Sequence, residues 1–293
     1  MKKKKIFTSA NFQKLCAKLG MPGIMLWHGW VYRVNRGHNP DFKHPKDLSE
    51  LILASMHKKS FIDNAIYADK WRVRDYIKSK GLENILLDVY GVWEKGDDID
   101  FDVLPDKFAL KPNNGSGGHF FCKDKSKIDI PAIRKQMNQS IILEHLGYHF
   151  EPHYQHIKPL IYAEELIDTG TDAWPTDYKF TCLKGRIADV FVCCERETST
   201  TKYITLDTDW NVLPYTKQEY LPNEVPEKPK HLDRMIEIAK ILSADFDIVR
   251  VDLYEYKDKV YFSELTFSPW GGYMYSYTND ALKILGDKYY EAK

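Results

Sequence analysis

The chain has 293 residues, 43% of them apolar and 29% charged, with 42 basic side chains balanced by 42 acidic ones. That balance excludes a disordered polyelectrolyte and the marked basic excess of a general nucleic-acid binder; no nucleic-acid partner is expected. The length suffices for one large domain or for two to three lobes.

Five cysteines, Cys16, Cys122, Cys182, Cys193 and Cys194, show neither a CxxC pair nor a zinc-ligand spacing, which fits free thiols in a reducing compartment. Four lysines follow Met1, but no apolar region of signal-peptide quality comes after them and no run approaches the length of a membrane span. The expectation is a cytoplasmic protein without a transmembrane segment. The basic, aromatic front end through Trp27, Trp30 and Tyr32 adds a second expectation, peripheral contact with the inner face of an anionic membrane.

Phe12, Leu15 and Leu19 before the Gly20-Met-Pro-Gly23 break predict a short helix and then a turn. Asn35 to Asp47 reads as loop, and a helix is expected from Leu48 to about Lys58. Asp63 to Ser79 reads as a turn and a helix ended at Gly81, on which Lys70 and Arg74 lie four apart on one face. They form either a solvated basic stripe or a helix end reaching toward phosphate. Ile85–Tyr90 is a predicted strand.

Phe108 to Phe121 reads as strand, flexible loop, strand. Lys111 ends the first strand, and the loop Asn113-Asn-Gly-Ser-Gly-Gly118 carries no bulky side chain. Such a loop can close backbone N–H groups over an anion, Ser116 adding a hydroxyl. It is neither a P-loop, since no Gly-Lys-Ser/Thr follows, nor a Rossmann turn, since a strand follows it. Pro131–Gln139 is a short helix candidate and Ile141–His145 an extended run. His145, His149, His153 and His156 lack the spacing of a metal site, and Pro152 interrupts any helix that would align them. Lys158–Ile167 is a strand ending in the acids Glu164 and Glu165.

Asp177–Cys193 is a hairpin candidate turning at Lys184-Gly185, with Lys179 either snorkelling or facing a ligand. Lys202–Leu206 is a strand, and Lys230–Ser243 a helix with a buried stripe of Leu232, Met235, Ile236, Ala239 and Leu242. Val249–Thr266 is a second hairpin looping at Lys257-Asp258-Lys259. Alternation then sets Asp252 directly across from Glu264, with Tyr254, Phe262 and Thr266 on the same face. Two opposed carboxylates repel unless a cation or proton lies between them, and hard divalent ions such as magnesium take carboxylate oxygens. A solvated polar hairpin face is the alternative. A last helix is expected around Asn279–Leu285.

Four stretches together resemble the ATP-grasp superfamily, and within it the TupA-like branch of teichuronopeptide biosynthesis. They are Tyr67-Ala-Asp-Lys-Trp-Arg-Val-Arg, Phe108-Ala-Leu-Lys-Pro-Asn-Asn-Gly-Ser-Gly, Asp177-Tyr-Lys-Phe-Thr-Cys-Leu-Lys-Gly, and Arg250-Val-Asp-Leu-Tyr through Phe262-Ser-Glu-Leu-Thr-Phe-Ser-Pro-Trp-Gly-Gly. The resemblance implies an α+β fold with two antiparallel-sheet lobes clamping a nucleotide and a mostly helical N-terminal region. The boundaries expected are 1–105 for that region, 106–165 for a small lobe with the Gly-rich loop, and 166–293 for a large lobe with the metal-binding hairpin. It further implies ATP and Mg²⁺ as cofactors. Lys111 would contact the phosphates, together with Lys70, Arg74 and Lys179. The loop Asn114, Gly115, Ser116, Gly117 and Gly118 would cover them. Glu164 and Glu165 would bind adenine or ribose. Asp252 and Glu264, with Thr266, would hold the metal, and Arg250 would steady a γ-phosphate or acyl-phosphate oxygen. Lys111, Lys179 and Arg250 are the catalytic candidates. Many members carry Glu-x-Asn where this chain has Glu264-Leu-Thr266. A hydroxyl is a poorer magnesium ligand than an amide oxygen, so one or two ions remain open.

The activity implied is ATP-dependent carboxylate–amine ligation in cell-surface polysaccharide (capsule-type) biosynthesis. Its substrate would be a small molecule or a glycan, lipid-linked or free, with glycosyltransferases as further partners. Two alternatives stand beside it. One is a sugar or glycan kinase on the same nucleotide site, with Asp177 or His119 as base. The other is a non-catalytic ATP-binding scaffold of a glycan assembly complex. Trp174, Trp270, Tyr273, Tyr275 and Tyr277 suit sugar stacking or core packing equally.

Overall fold

The computed structural model of the protein describes residues 9–115, 117–145, 150–170, 175–194 and 201–292. It opens with helices α1 (Ser9–Lys18) and α2 (Met21–Arg36). The segment expected to end in a turn starts a sixteen-residue helix instead. Gly20 reverses the chain at φ 62°, and Pro22 sits in the first helical turn, where a missing N–H costs nothing. Asp47 then caps α3 (Leu48–Met56) by accepting the Glu50 N–H at 2.8 Å.

Where one helix is expected after Asp63 there are two short ones, α4 (Ala65–Ala68) and α5 (Val73–Ser79). Asp69 separates them, its carboxylate accepting the N–H groups of Trp71 at 2.9 Å and Arg72 at 3.1 Å. This local side-chain turn competes with continued helix. The chain continues through β1 (Val89–Trp93), β2 (Phe108–Pro112) and β3 (Phe120–Cys122). β1 starts later than expected because Glu83–Ile85 forms a 3-10 turn that buries Ile85. Helix α6 (Ile130–His145) absorbs the Ile141–His145 run expected to be extended. Ile133, Met137 and Ile141 recur every four residues against Phe108 and Leu110, and that helical period outweighs β-branched propensity.

Strands β4 (Ile161–Glu164), β5 (Asp177–Leu183), β6 (Arg186–Cys194) and β7 (Lys202–Leu206) follow. Helix α7 (Leu232–Ser243), strands β8 (Ile248–Tyr256) and β9 (Lys259–Thr266), and helix α8 (Asn279–Glu291) complete the chain. The strands form two antiparallel sheets, ordered β1-β4-β2-β3 and β7-β6-β5-β8-β9. The expected α+β class with two antiparallel sheets is what the chain adopts. Each sheet has its own core. The four-stranded sheet packs Phe108, Leu110 and Ala163 on α6. The five-stranded sheet packs Phe180, Val251 and Leu253 with Met235 and Leu242 of α7, and the N-terminal Tyr32, Leu48 and Ile52 join this second core. β1, from before residue 106, belongs to the four-stranded sheet.

The β8–β9 hairpin differs in detail from the expectation. Its turn is only Lys257-Asp258, both at positive φ (46° and 59°), and Lys259 already pairs with Tyr256. That is the two-residue loop whose twist matches flanking strands. The register slips by one residue next to Ser263, so that Leu253 pairs with Phe262 while Asp252 still pairs with Glu264. The two deviations cancel at the carboxylates.

The four histidines are dispersed in fate. His149 and the side chain of His145 lie outside the described residues, and His156 ends a 3-10 turn. His153 is fully buried between Phe61 and Tyr154, neither ring nitrogen having a hydrogen-bond partner among the described residues. Burial lowers its pKa to about 3 from an ordinary 6.5. The unfolded chain therefore takes this proton near pH 6.5 and the folded one only near pH 3, so acidification below 6.5 favours unfolding. At pH 5 the loss from this residue amounts to about 2 kcal/mol. His153→Leu should flatten the fall in unfolding free energy between pH 6.5 and 5, measured by urea denaturation; an unchanged slope would show that the ring is not held neutral.

Candidate active site

The five-stranded sheet carries one polar face. Alternation puts Asp177, Lys179 and Thr181 of β5 on one side, while Tyr178, Phe180 and Cys182 enter the α7 core. Across the sheet Lys179 pairs with Asp252 and Asp252 with Glu264; one step along, Thr181 pairs with Arg250 and Arg250 with Thr266. Residues far apart in sequence thus form a two-row grid of charge.

Every ionised group in the grid has a counter-ion. Arg250 grips Asp252 with both arms, Nε to Oδ1 and Nη2 to Oδ2, each at 2.7 Å. Its Nη2 also reaches Glu264 Oε1 at 3.3 Å and Thr266 Oγ1 at 3.2 Å. Lys179 Nζ lies 2.5 Å from Asp252 Oδ2 and 2.6 Å from Asp177 Oδ2. Asp252 has no exposed surface. Burial, opposed by Arg250 and Lys179, pushes its carboxyl up to about 6. Glu264 moves the other way: burial would raise it, but Lys70, Lys179 and Arg250 prevail and hold it well below the carboxylate range. Burial would discharge Lys179, but Asp177 and Asp252 outweigh it and keep the ammonium charged.

The facing wall comes from the four-stranded sheet. Lys111 on β2 pairs with Tyr162 on β4, and Ala109 with Glu164, so these four side chains share a face while Leu110 and Ala163 enter the core. Lys111 Nζ is 2.5 Å from Glu164 Oε1. Burial opposes its charge, yet Glu164 and Tyr254 leave its pKa raised. Between the walls is a cavity of about 220 Å³, bordered by Leu87, Ala109, Tyr162, Leu166, Tyr254 and Phe262 and by Lys70, Lys111, Glu164, Glu165, Asp177 and Glu264. It far exceeds the space of a single trapped water. Phe262, Ser263 and Glu264 all border it, because the register slip re-aims consecutive β9 side chains.

Lys70 closes one end. Its backbone N–H donates to the Asn113 carbonyl at 2.9 Å, its Nζ donates to the Gly115 carbonyl, and the same Nζ lies 3.3 Å from Glu264 Oε2. One ammonium therefore ties the Gly-rich loop to the carboxylate hairpin. In the loop, Gly115, Gly117 and Gly118 all take positive φ, and a Cβ on Gly118 would come 2.7 Å from Ser140 Cβ. Gly117 borders the cavity. Ser116 lies outside the described residues. Asn114 is buried, and its side-chain amide has no hydrogen-bond partner among the described residues.

Of the residues singled out in the sequence, Lys70, Lys111, Gly117, Glu164, Glu165 and Glu264 border one cavity, and Arg250, Asp252, Lys179 and Thr266 form the ion-pair grid joined to Glu264. Arg74 belongs to neither. Its Nη2 donates to the Leu87 carbonyl at 2.8 Å and its guanidinium lies 5.9 Å from the Trp71 ring centroid, because the Asp69 turn breaks the helix that would have aligned it with Lys70. Leu87, Tyr162 and Leu166 line the cavity without charge, so the charge pattern of the sequence does not mark them. The alternation Tyr162-x-Glu164 is the signal that marks one of them, Tyr162, as a wall position.

The residues fit a nucleotide with magnesium. Aliphatic and aromatic walls suit a base, two lysines suit phosphates, and Asp252 and Glu264 supply hard oxygen donors. Among the described residues no group of three or more His, Cys, Asp or Glu could hold a metal by itself. Mg²⁺ keeps several waters and binds through one or two carboxylates plus substrate phosphates.

The profile of the family described as TupA-like ATPgrasp matches residues 49–290. No curated protein sequence matches the chain. Among solved structures it is similar to a D-alanine–D-alanine ligase from Bacillus anthracis, at 17% identity and TM-score 0.45, over 78% of this chain and 67% of that one. It is also similar to the D-cycloserine synthetase DcsG, at 11% identity and TM-score 0.44, over 78% and 71%. The ATP-grasp ligase PsnB, complexed with minimal precursor, aligns at 12% identity and TM-score 0.44, over 83% and 68%.

Proposed function

The chain belongs to the TupA-like ATP-grasp family, and from that premise we propose that it is an ATP-dependent carboxylate–amine ligase working through an acyl phosphate. The observation that carries this reading is the pairing of Asp252 with Glu264, of which Glu264 borders the same cavity as Lys111 and Lys70. A carboxylate is a poor electrophile because its leaving group would be oxide. Phosphorylation turns it into an acyl phosphate; an amine then attacks the carbonyl carbon, the C–O bond to phosphate breaks, and the nitrogen loses a proton.

Such chemistry needs fixed positive charge around the transferring oxygens and a site shielded from water. Lys111 and Lys70 hold phosphate oxygens, and the amides of residues 114–118 close over them. Glu164 and Glu165 border the aliphatic end, where adenine and ribose bind. Asp252 and Glu264, with the Thr266 hydroxyl beside them, would hold Mg²⁺, which would supply charge neutralisation at the phosphates. Arg250 and Lys179, which balance those carboxylates in the free protein, become partners for phosphoryl oxygens.

The kinase alternative needs a free base near the acceptor. Asp177 is ion-paired with Lys179. His119 borders the cavity, but burial, then Lys111 and Lys70, lower its pKa to about 3, too weak to take a hydroxyl proton effectively. Both points favour the ligase.

We place the substrate among acidic cell-surface glycans or their small-molecule precursors, in agreement with the likeness to teichuronopeptide biosynthesis. A half-buried aromatic group borders the far end of the polar face. Trp270, held at φ 54°, packs edge-on against Tyr203 at 5.4 Å and Tyr275 at 6.2 Å. Trp174 lies outside the described residues. Release of ADP should require both a carboxylate and an amine, with the amide seen by mass spectrometry across a panel of amino acids and uronic-acid or aminosugar glycans. ADP release with a hydroxyl acceptor alone, yielding a phosphorylated sugar, would overturn the ligase reading.

A further inference from the structure

We propose that the α1–α2 pair is a docking face for an anionic phospholipid surface. Thirteen large apolar side chains stand exposed among the described residues, and six of them, Leu15, Leu19, Met25, Leu26, Trp30 and Val34, fall on this pair and its connection. Leu26, Trp30 and Val34 are spaced four apart along α2, at 57%, 39% and 64% exposure, so they form one stripe. The opposite side of α2 is used inwardly, by Ile24, His28, Val31, Tyr32 and Arg36. Trp30 packs on Phe12 at 5.8 Å and on Trp27 at 5.3 Å, which joins the stripe to α1.

Charge identifies the occupant. Residues 1–40 contain eight Lys or Arg and not a single Asp or Glu, while the rest of the chain carries 34 basic against 42 acidic side chains. Lys14, Lys18 and Arg33 are exposed beside the apolar stripe. A basic, acid-free helix pair with Leu and Trp outward is the composition of a helix that lies in the interface of an anionic bilayer. No helix is long and apolar enough to cross one among the described residues. A second copy is a poorer occupant, because a two-fold contact through this face would set the same cations against themselves.

The face is fastened to the active-site lobe. Arg36, on the inner side of α2, donates to the carbonyls of Tyr273 at 2.6 Å, Met274 at 2.7 Å and Tyr277 at 2.9 Å. That segment follows the Trp270 turn at the far end of the polar face, so a membrane held against α2 would sit in fixed relation to an incoming acceptor.

Vesicle flotation tests the proposal without nucleotide, so its result is independent of the ligase reading. The protein should float with phosphatidylcholine vesicles containing phosphatidylglycerol, not with phosphatidylcholine alone, and be released by salt. Leu26→Glu with Val34→Glu, and separately Lys14→Glu with Lys18→Glu and Arg33→Glu, should each cut the bound fraction by about tenfold or more. If the first pair lowers the melting temperature, the second set, at exposed positions, carries the test. Absence of flotation, flotation untouched by the charge reversals, or a dimer in solution that Leu26→Glu with Val34→Glu dissociates would overturn it.

Discussion

Asp252→Asn and Lys111→Ala each lower ATP turnover by about 10²-fold or more, the scale seen when a charged partner of the transition state is lost. Asn keeps the size of Asp252 and can still accept from Arg250, so the packing of a residue with no exposed surface is preserved while its charge is lost. Lys111→Ala removes a cation that borders the cavity together with Glu264 and leaves Glu164 without its 2.5 Å counter-ion. Turnover by coupled ADP assay, alongside nucleotide affinity by calorimetry, separates the outcomes. Transition-state roles predict a loss mainly in kcat. Wild-type rates in either variant would remove that residue from the machinery.

The second large effect is on stability. Lys179→Met removes the ammonium that pairs with Asp177 and Asp252 on a face almost closed to water, while Arg250 stays on Asp252, and breaking a buried ion pair from one side costs about 3–5 kcal/mol. The melting temperature of the free protein should fall by roughly 10 °C. The deficit should narrow on acidification toward pH 5. The sign follows from Asp252, whose folded-state pKa of about 6 lies above its unfolded value of 3.8, so falling pH lets the folded form shed the uncompensated charge first. Mg²⁺ with nucleotide should recover part of the loss, since anything binding only the folded form stabilises it. An unchanged melting curve would mean that water, not Lys179, balances the two acids.

Several features were legible before any coordinates. The alternation in Arg250-x-Asp252 and Glu264-x-Thr266 placed two acids opposite each other, and they are opposite. The route to that register was not legible. A two-residue turn and a slip beside Ser263 replace the three-residue loop, and only backbone pairing along the whole hairpin reveals that they compensate. Lys70 and Arg74 show the reverse case. Their spacing argued for a shared helical face, and a single Asp69 side chain, by capturing two N–H groups, sent one to the loop and the other to the Leu87 carbonyl. Ile141–His145 was misread because β-branched propensity is a short-range signal, whereas burial every fourth residue against β2 is a tertiary one.

By itself the sequence determined the local periods: which strands alternate, which helices bury a stripe, where glycines free the loop at 115–118, and that residues 1–40 carry cations without acids. Those properties depend on neighbours a few residues apart, and the chain cannot escape them. Only the tertiary structure decided that Lys179 is a counter-ion and not a snorkelling side chain, because beside Asp177 on its own strand it meets Asp252, 73 residues away, across strands. It likewise decided that one lysine bridges the glycine loop and the acidic hairpin. Electrostatic pairing falls off with distance in space, not along the chain, so which charges neutralise one another is settled only when the two sheets close around a common cavity.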